Sequence, residues 1–335
     1  MKRKRGKNGE VRDVDKGSGD LLMGINGERL EKIPVNGPFY VFKSCVSSNV
    51  YPGIEACTRK ILESLGISVV DTDQQTCCSG FTYFATISPE DTFLATVARN
   101  FSVIEEVASD MLVICNACFS VLHYFENITE DFPDLKVKID EVLSKIDRKY
   151  EEGKVKFWHI AEFIYKVREE LTRQIKFKLN GLKIAVHYGC HYLRSCPEVA
   201  IDNPESPTFL EEVVETFGGT PVNYKEKDLC CGSGWIQRYT ARDLSLQITA
   251  RKIESIIKED ADLILVVCPF CLAVLDNAQV ELETFELLET RIPVLHLTQL
   301  IALLLGYDPD ETLGVQLHTT PVTPFIEKLM ENVTE

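Results

Sequence analysis

Met111-Leu112-Val113-Ile114-Cys115-Asn116-Ala117-Cys118 returns, 153 residues later, as Ile264-Leu265-Val266-Val267-Cys268-Pro269-Phe270-Cys271. In each stretch a run of bulky apolar residues stops at a cysteine, and a second cysteine follows three places on. A short unbroken apolar run of this kind reads as a strand buried on both faces, the type found in parallel sheets. The second cysteine then falls in the opening turn of a helix, where free N–H groups and the helix dipole favour a thiolate.

Working outward, the same offset of 153 relates Cys77 to Cys230 and Cys78 to Cys231. Cys45 and Cys190 differ by 145, so one loop has changed length by eight residues. Each copy begins with a short strand, Phe39-Tyr40-Val41-Phe42 or Lys183-Ile184-Ala185-Val186, leading to its first cysteine. Apolar residues Ile54, Ile61, Leu62 and Leu65 predict a helix over Tyr51–Leu65 that Gly66 ends. Ile67–Val70 is the next predicted strand, and Ser88-Pro89-Glu90-Asp91 starts a helix predicted to run to about Ser109. In the second copy, Phe209–Phe217 and Gln237–Lys258 are the matching helices. A further echo closes each copy: Phe157-Trp158-His159-Ile160-Ala161-Glu162-Phe163-Ile164 corresponds to Val294-Leu295-His296-Leu297-Thr298-Gln299-Leu300-Ile301. The charged stretch from Glu126 to Lys154 reads as a helical insertion between the copies. Strands alternating with helices imply an α/β fold built from parallel units.

Each copy therefore offers five thiols: one alone, a vicinal pair 31 or 39 residues on, and a CxxC after 36 more. Structural zinc takes four ligands, usually in two CxxC-type pairs. Adjacent cysteines do not easily bind one tetrahedral ion together, but they can bind different irons of one cluster. Five thiolates also exceed the four of an ordinary [2Fe–2S] or cubane [4Fe–4S] cluster. The count points to a larger or irregular cluster, or to four ligands and one reactive thiol. The strand-end positions of Cys45, Cys115, Cys190 and Cys268 are where open α/β sheets place their sites.

The 335 residues carry a net charge of −15 and a pI near 5.0, which argues against nucleic acid as a partner. Basic residues gather at Lys2, Arg3, Lys4, Arg5 and Lys7, but no apolar run follows them, so no secretory leader is expected. The most apolar stretch, Val294–Tyr307, is interrupted by His296, Thr298 and Gln299 and is too short to span a bilayer. A cytoplasmic protein is expected. Twelve cysteines in such a chain imply metal or redox chemistry more than disulfides. Cys57 and Cys196 fall outside the repeat: Cys57 shares an apolar helix face with Ile54 and Ile61, whereas Cys196 lies near Cys190 and leaves a site role open.

With both five-cysteine sets complete, the chain resembles the CCG-domain proteins, and among them the catalytic B-type component of heterodisulfide reductase. Tyr188-Gly189-Cys190-His191, Leu229-Cys230-Cys231-Gly232 and Asp202-Asn203-Pro204-Glu205-Ser206-Pro207 carry the likeness further, which extends from about Phe39 to Leu305. The resemblance implies two pseudo-symmetric cysteine-rich CCG domains, each a small parallel sheet with flanking helices. Residues 37–175 and 176–306 would form them, between a flexible extension over 1–36 and a tail over 307–335. It implies two noncubane [4Fe-4S] clusters, one on Cys45, Cys77, Cys78, Cys115 and Cys118, the other on Cys190, Cys230, Cys231, Cys268 and Cys271. It implies reduction of the coenzyme M–coenzyme B disulfide, with electrons from a ferredoxin-like C subunit fed by a flavin-containing A subunit. A larger complex with hydrogenase or formate dehydrogenase stays open. The first vicinal pair departs from the pattern, being followed by Ser79-Gly80-Phe81 where the second has the full Cys-Cys-Gly.

The products of disulfide reduction need protons, and His187 and His191, flanking Cys190, are the candidate catalytic donors; a structural role is the competing assignment for both. Arg194, Lys225 and Arg238 are candidates for an anionic group of the substrate. Two other functions fit the same residues: a CCG-domain component of another oxidoreductase (lactate, succinate/fumarate or sulfur oxidation), and a non-catalytic electron-transfer protein.

Overall fold

A computed structural model describes residues 25–195, 197 and 200–331 of the chain. Two four-stranded sheets form, and every strand pairing is parallel. The first holds β1 (Phe39–Phe42), β2 (Val69–Val70), β3 (Asp110–Val113) and β4 (Lys156–His159) in the order β2-β1-β3-β4. The second holds β5 (Lys183–His187), β6 (Thr220–Pro221), β7 (Leu263–Val266) and β8 (Val294–His296) in the order β6-β5-β7-β8. The order is the same in both, as the duplication requires. Strand order reverses between β1 and β3, and between β5 and β7, which opens a crevice at their carboxyl ends. Cys45 and Cys115 follow one such pair, and Cys190 and Cys268 the other.

The local reasons are plain. β1 and β7 are buried at all four positions, hence their unbroken apolar sequences. The helix Gly53–Ser64 buries Ile54, Cys57, Thr58, Ile61 and Leu62, a single 3.6-period face. Two predicted helices are shorter or broken. The helix from Glu90 ends at Ile104, not near Ser109. The long helix expected over Gln237–Lys258 is two, Gln237–Thr240 and Arg242–Ile257, separated by Ala241 at φ −142°, ψ 61°. The 126–154 insertion is helical over Pro133–Ser144, and Pro133 separates that helix from Asn116–Asp131.

The last helix of each copy packs on the other copy. Ile160–Thr172 lies against Phe209–Thr216, and Leu297–Leu304 lies against Gly53–Ser64. Leu297–Leu304 is buried at all eight positions, so its apolar character serves the core. Among the described residues no helix is long and apolar enough to cross a membrane.

Both ends differ from the expected extension and tail. Residues 1–24 lie outside the described residues. The following segment is part of the fold: Gly27–Lys32 is a helix, the Asn26 N–H donates to the Ile201 carbonyl at 2.6 Å, and Ile33 is buried. Lys166 Nζ donates to the carbonyls of Leu30 and Ile33, each at 2.7 Å. At the other end, the π-helical turn Pro309–Leu313 sits so close to Gly53 that a Cβ there would lie 1.9 Å from the Leu313 carbonyl oxygen. The helix Thr323–Glu331 buries Phe325 and Leu329.

Candidate iron–sulfur site

Ten cysteines from six strand–helix junctions and loops meet along the seam between the copies. Cys115 and Cys268 are the N-caps of the helices Asn116–Asp131 and Pro269–Thr284, and Cys118 and Cys271 stand in their first turns. Cys45 and Cys190 open five-residue helices just past β1 and β5. The sulfurs form one continuous run of electrostatically interacting neighbours: Cys45, Cys77, Cys78, Cys118, Cys115, then across the seam Cys268, Cys271, Cys231, Cys230, Cys190. The run reads the same from either end once equivalent residues are matched. At its centre Cys115 Sγ and Cys268 Sγ are 3.9 Å apart. Cys57 takes no part; it is buried on its helix face with Sγ 3.7 Å from the Thr312 carbonyl oxygen. Cys196 lies outside the described residues.

Three of the ten thiols are held low and seven are pushed up, and the symmetry breaks at the centre, where Cys268 is lowered and Cys115 raised. Hydrogen bonds from Cys45 and Cys78 hold the Cys77 thiol down to about 2, with help from the Ser79 N–H at 3.4 Å. Cys190 and Cys231 hold Cys230 well below the ordinary thiol range, and the Gly232 N–H sits at the same 3.4 Å. Cys115 and then Cys271 do the same for Cys268. Ready thiolates suit a cationic metal centre. Ser79 makes its N–H contact at φ 60°, the left-handed region that Gly232 occupies without strain at φ 104°. The departure at Ser79 therefore keeps the geometry and gives up the preferred residue.

The donor set fits an iron–sulfur group. Besides the thiols, buried polar atoms without partners stand beside them: Ser44 Oγ before Cys45, Ser233 Oγ after Cys231, and both ring nitrogens of His187. Hydroxyl and imidazole N–H groups are the usual donors to metal-bound sulfur. His187, Cys231 and Cys271 place their ligand atoms within 4.8 Å of one another.

The surroundings of the two sets differ. Over the first lies a cavity of about 320 Å³ lined by Cys45, Cys77, Cys78 and Cys118 with Phe81, Trp235, Tyr239 and Phe270. Beside the second the free space is only about 20 Å³. Trp235 and Phe270 of the second copy wall both. Trp235 is held at φ 60°, stacks on Phe84 at 5.1 Å and meets the His191 ring edge-on at 4.5 Å. A larger cavity of about 530 Å³ lies elsewhere, over Tyr224, Lys225 and Lys227, with no thiol in its wall.

The other sequence candidates separate. His191 Nδ1 is 3.3 Å from Ser120 Oγ of the first copy, at the seam. His187 is buried, and burial followed by the Lys252 charge pushes it down to about 3. Arg238 is taken by an ion pair with Glu281, Lys225 faces the thiol-free cavity, and Arg194 is exposed. Missed in the sequence were Trp235, Tyr239 and Phe270, whose meeting over the first set depends on the packing of one copy on the other.

Two stretches, residues 39–123 and 184–276, match the family described as the CCG cysteine-rich domain. The chain is 33% identical over 293 residues to the B component of the ferredoxin:CoB-CoM heterodisulfide reductase of Methanosarcina mazei, covering 87% of this chain and 96% of that one. It is 35% identical to a protein of Archaeoglobus profundus described as like the B component of heterodisulfide reductase, covering 87% and 98%. It is also 29% identical to the membrane anchor of the 8-methylmenaquinol:fumarate reductase of Wolinella succinogenes, covering 85% and 98%. Among solved structures, a hypothetical protein from Helicobacter pylori shares the fold, with a TM-score of 0.65 and 14% identity over 89% of this chain and 56% of that one.

Proposed function

Because this chain belongs to the CCG cysteine-rich domain family, in the branch of the heterodisulfide reductase B components, we propose that it is the catalytic, disulfide-reducing subunit of a heterodisulfide reductase. Its relatives make it an iron–sulfur oxidoreductase subunit; the reaction, the clusters and the partners are the proposal. The observation that carries it is the palindromic run of ten thiols, joined across the seam at Cys115 and Cys268. Each half of that run would hold one noncubane [4Fe-4S] cluster: Cys45, Cys77, Cys78, Cys115 and Cys118 the first, Cys190, Cys230, Cys231, Cys268 and Cys271 the second. Bound there, the clusters would supply single electrons and iron sites for sulfur, one for each half of a disulfide.

The chain's own residues supply the rest. Phe81, Trp235, Tyr239 and Phe270 give the cavity an apolar wall that suits the alkyl arms of the coenzyme M–coenzyme B disulfide and keeps water from the sulfurs. His191, half-buried and next to Ser120, is placed to pass a proton from the surface to a product thiolate. His187 stays neutral in its buried position and serves better as an N–H donor to sulfur than as an acid. Electrons would come from a ferredoxin-like C subunit and a flavin-containing A subunit, in the cytoplasm.

Anaerobic purification with iron and sulfide analysis tests the cluster assignment, and reduction of coenzyme M–coenzyme B disulfide by reduced viologen tests the reaction. About eight irons per chain are expected. Two zincs without acid-labile sulfide would sink the cluster assignment, and a loaded protein inert to the disulfide would sink the reaction. The likeness to the Wolinella fumarate reductase component favours one second reading, a CCG-domain part of another oxidoreductase; a loaded protein inert to the disulfide would point there.

A further inference from the structure

Lys252 is the one fully buried lysine or arginine among the described residues. Its Nζ donates to the backbone carbonyls of Glu226 at 2.6 Å and Lys227 at 3.1 Å and lies 5.1 Å from the centre of the Tyr224 ring. Among the described residues no carboxylate stands within ion-pair distance of it. A buried ammonium ion without a paired anion is costly, so something must offset it. Burial lowers its ammonium to about 8, and thiols of the second set offset part of that: Cys231, Cys271 and Cys230 each act more strongly than Asp228 does. The same helix touches that set one turn earlier, where Thr249 Oγ1 donates to the Cys231 carbonyl at 2.8 Å.

Among the described residues the first set has no fully buried lysine or arginine beside it. The residue 153 places earlier is Arg99, half-exposed, with its guanidinium on the Gln74 carbonyl at 2.6 Å. The difference continues at the strand ends, where His187 of β5 stands in the place that Phe42 fills in β1. One set is thus bordered by a fixed cation and an imidazole, the other by an aromatic ring.

We propose that Lys252 is a built-in counter-charge for the second cysteine set and makes it the site of the two that accepts an electron first. This rests on the reading that each set holds an iron–sulfur cluster. Lys252 acts through the field at the sulfurs and touches neither substrate nor iron. An added electron beside a fixed positive charge in a poorly screened interior is stabilised by direct Coulomb attraction. Placing that advantage on the enclosed second set keeps the stored electron away from water, while the open first set faces the cavity.

The test is a potentiometric titration of the holoprotein followed by paramagnetic resonance. In Lys252→Met the reduced-to-oxidised ratio of the first-reduced centre, at fixed poise, should fall about tenfold, about 59 mV for one electron. Lys252→Arg should keep the wild-type value, and Arg99→Met should move neither centre. A fully loaded Lys252→Met protein with both centres unmoved would overturn the proposal. If Lys252→Met does not load, the order of reduction decides. Cys190→Ser should remove the signal of the first-reduced centre and Cys45→Ser that of the second; the reverse assignment overturns the proposal. Wild-type protein without iron or sulfide would instead remove the cluster reading beneath it.

Discussion

Glu162 and Gln299 occupy the same place in the two copies, yet each is satisfied by a different end of the chain. Glu162 is fully buried, accepts from Arg29 Nε at 3.1 Å and Nη2 at 2.9 Å, and also takes the Tyr192 hydroxyl at 3.0 Å. Gln299 is equally buried, donates to the Leu313 carbonyl at 2.9 Å and pairs with His318 Nε2 at 3.0 Å. The segment before β1 caps one copy and the segment after β8 caps the other. Both side chains also complete capping boxes, with His159 and His296 as the N-cap residues.

Removing Arg29 leaves a carboxylate buried without its cation. Arg29→Met should destabilise the protein by about 3 kcal/mol. Arg29→Met combined with Glu162→Gln should recover most of that loss, since Gln299 shows that an amide is accommodated at this place. Anaerobic thermal melts of the two variants check it, and a double variant no better than the single one contradicts it.

Glu126 gives the protein a pH dependence of known sign. Burial, reinforced by Glu152, raises its carboxyl from 4.5 to about 7. The folded chain therefore binds this proton more tightly than the unfolded one, and the stability it contributes is complete below pH 4.5 and lost as pH rises to about 7. Glu126→Gln should flatten that slope and be more stable at pH 8 by about 1 kcal/mol, allowing for the screening of a side chain that is 33% exposed. Melting midpoints at pH 5 and pH 8 measure the difference.

Trp235 walls both sulfur-lined cavities while belonging to only one copy. Trp235→Ala removes its stacking on Phe84 and merges the two cavities, and kcat/KM for disulfide reduction should fall about tenfold with iron content unchanged. Trp235→Phe keeps a ring in the stack and should stay within about threefold of wild type. Steady-state kinetics with reduced viologen separate the two.

The cysteines themselves should sort cleanly. Cys190→Ser, at one end of the sulfur run, should lower iron from about eight to about four per chain. Cys57→Ala should leave iron untouched and cost about 1–2 kcal/mol for a small cavity in the helix face. Iron loss in Cys57→Ala would mean that the ten-thiol boundary is misplaced.

The repeat was legible because its signals are local. An apolar strand followed by Cys115-x-x-Cys118 needs no tertiary knowledge, and a constant offset to Cys268 and Cys271 announces the second copy. The strand order and the convergence of the thiols follow from that grammar. What stayed hidden depends on distant partners. Arg29 and Glu162 are 133 residues apart, and nothing near Arg29 marks it as half of a buried pair. The break at Ala241 is a backbone turn without glycine or proline to signal it. The aromatic wall of the first cavity comes from Trp235, Tyr239 and Phe270, which lie in sequence beside cysteines of the second set. The Phe42–His187 difference, by contrast, was visible once the two copies are set side by side, and only its setting beside Lys252 gives it weight.

The exchange of closing helices, Ile160–Thr172 onto Phe209–Thr216 and Leu297–Leu304 onto Gly53–Ser64, bears on ancestry. A single-copy ancestor would have left the apolar face of its closing helix uncovered, and the arrangement that covers it is a homodimer with a self-matching interface. From such a dimer, gene fusion would turn an association that depends on concentration into a permanent one and free the halves to diverge. Residues 25–177 and 178–331 made as separate chains should still be recovered as a pair; stable, soluble single halves would argue against such an origin.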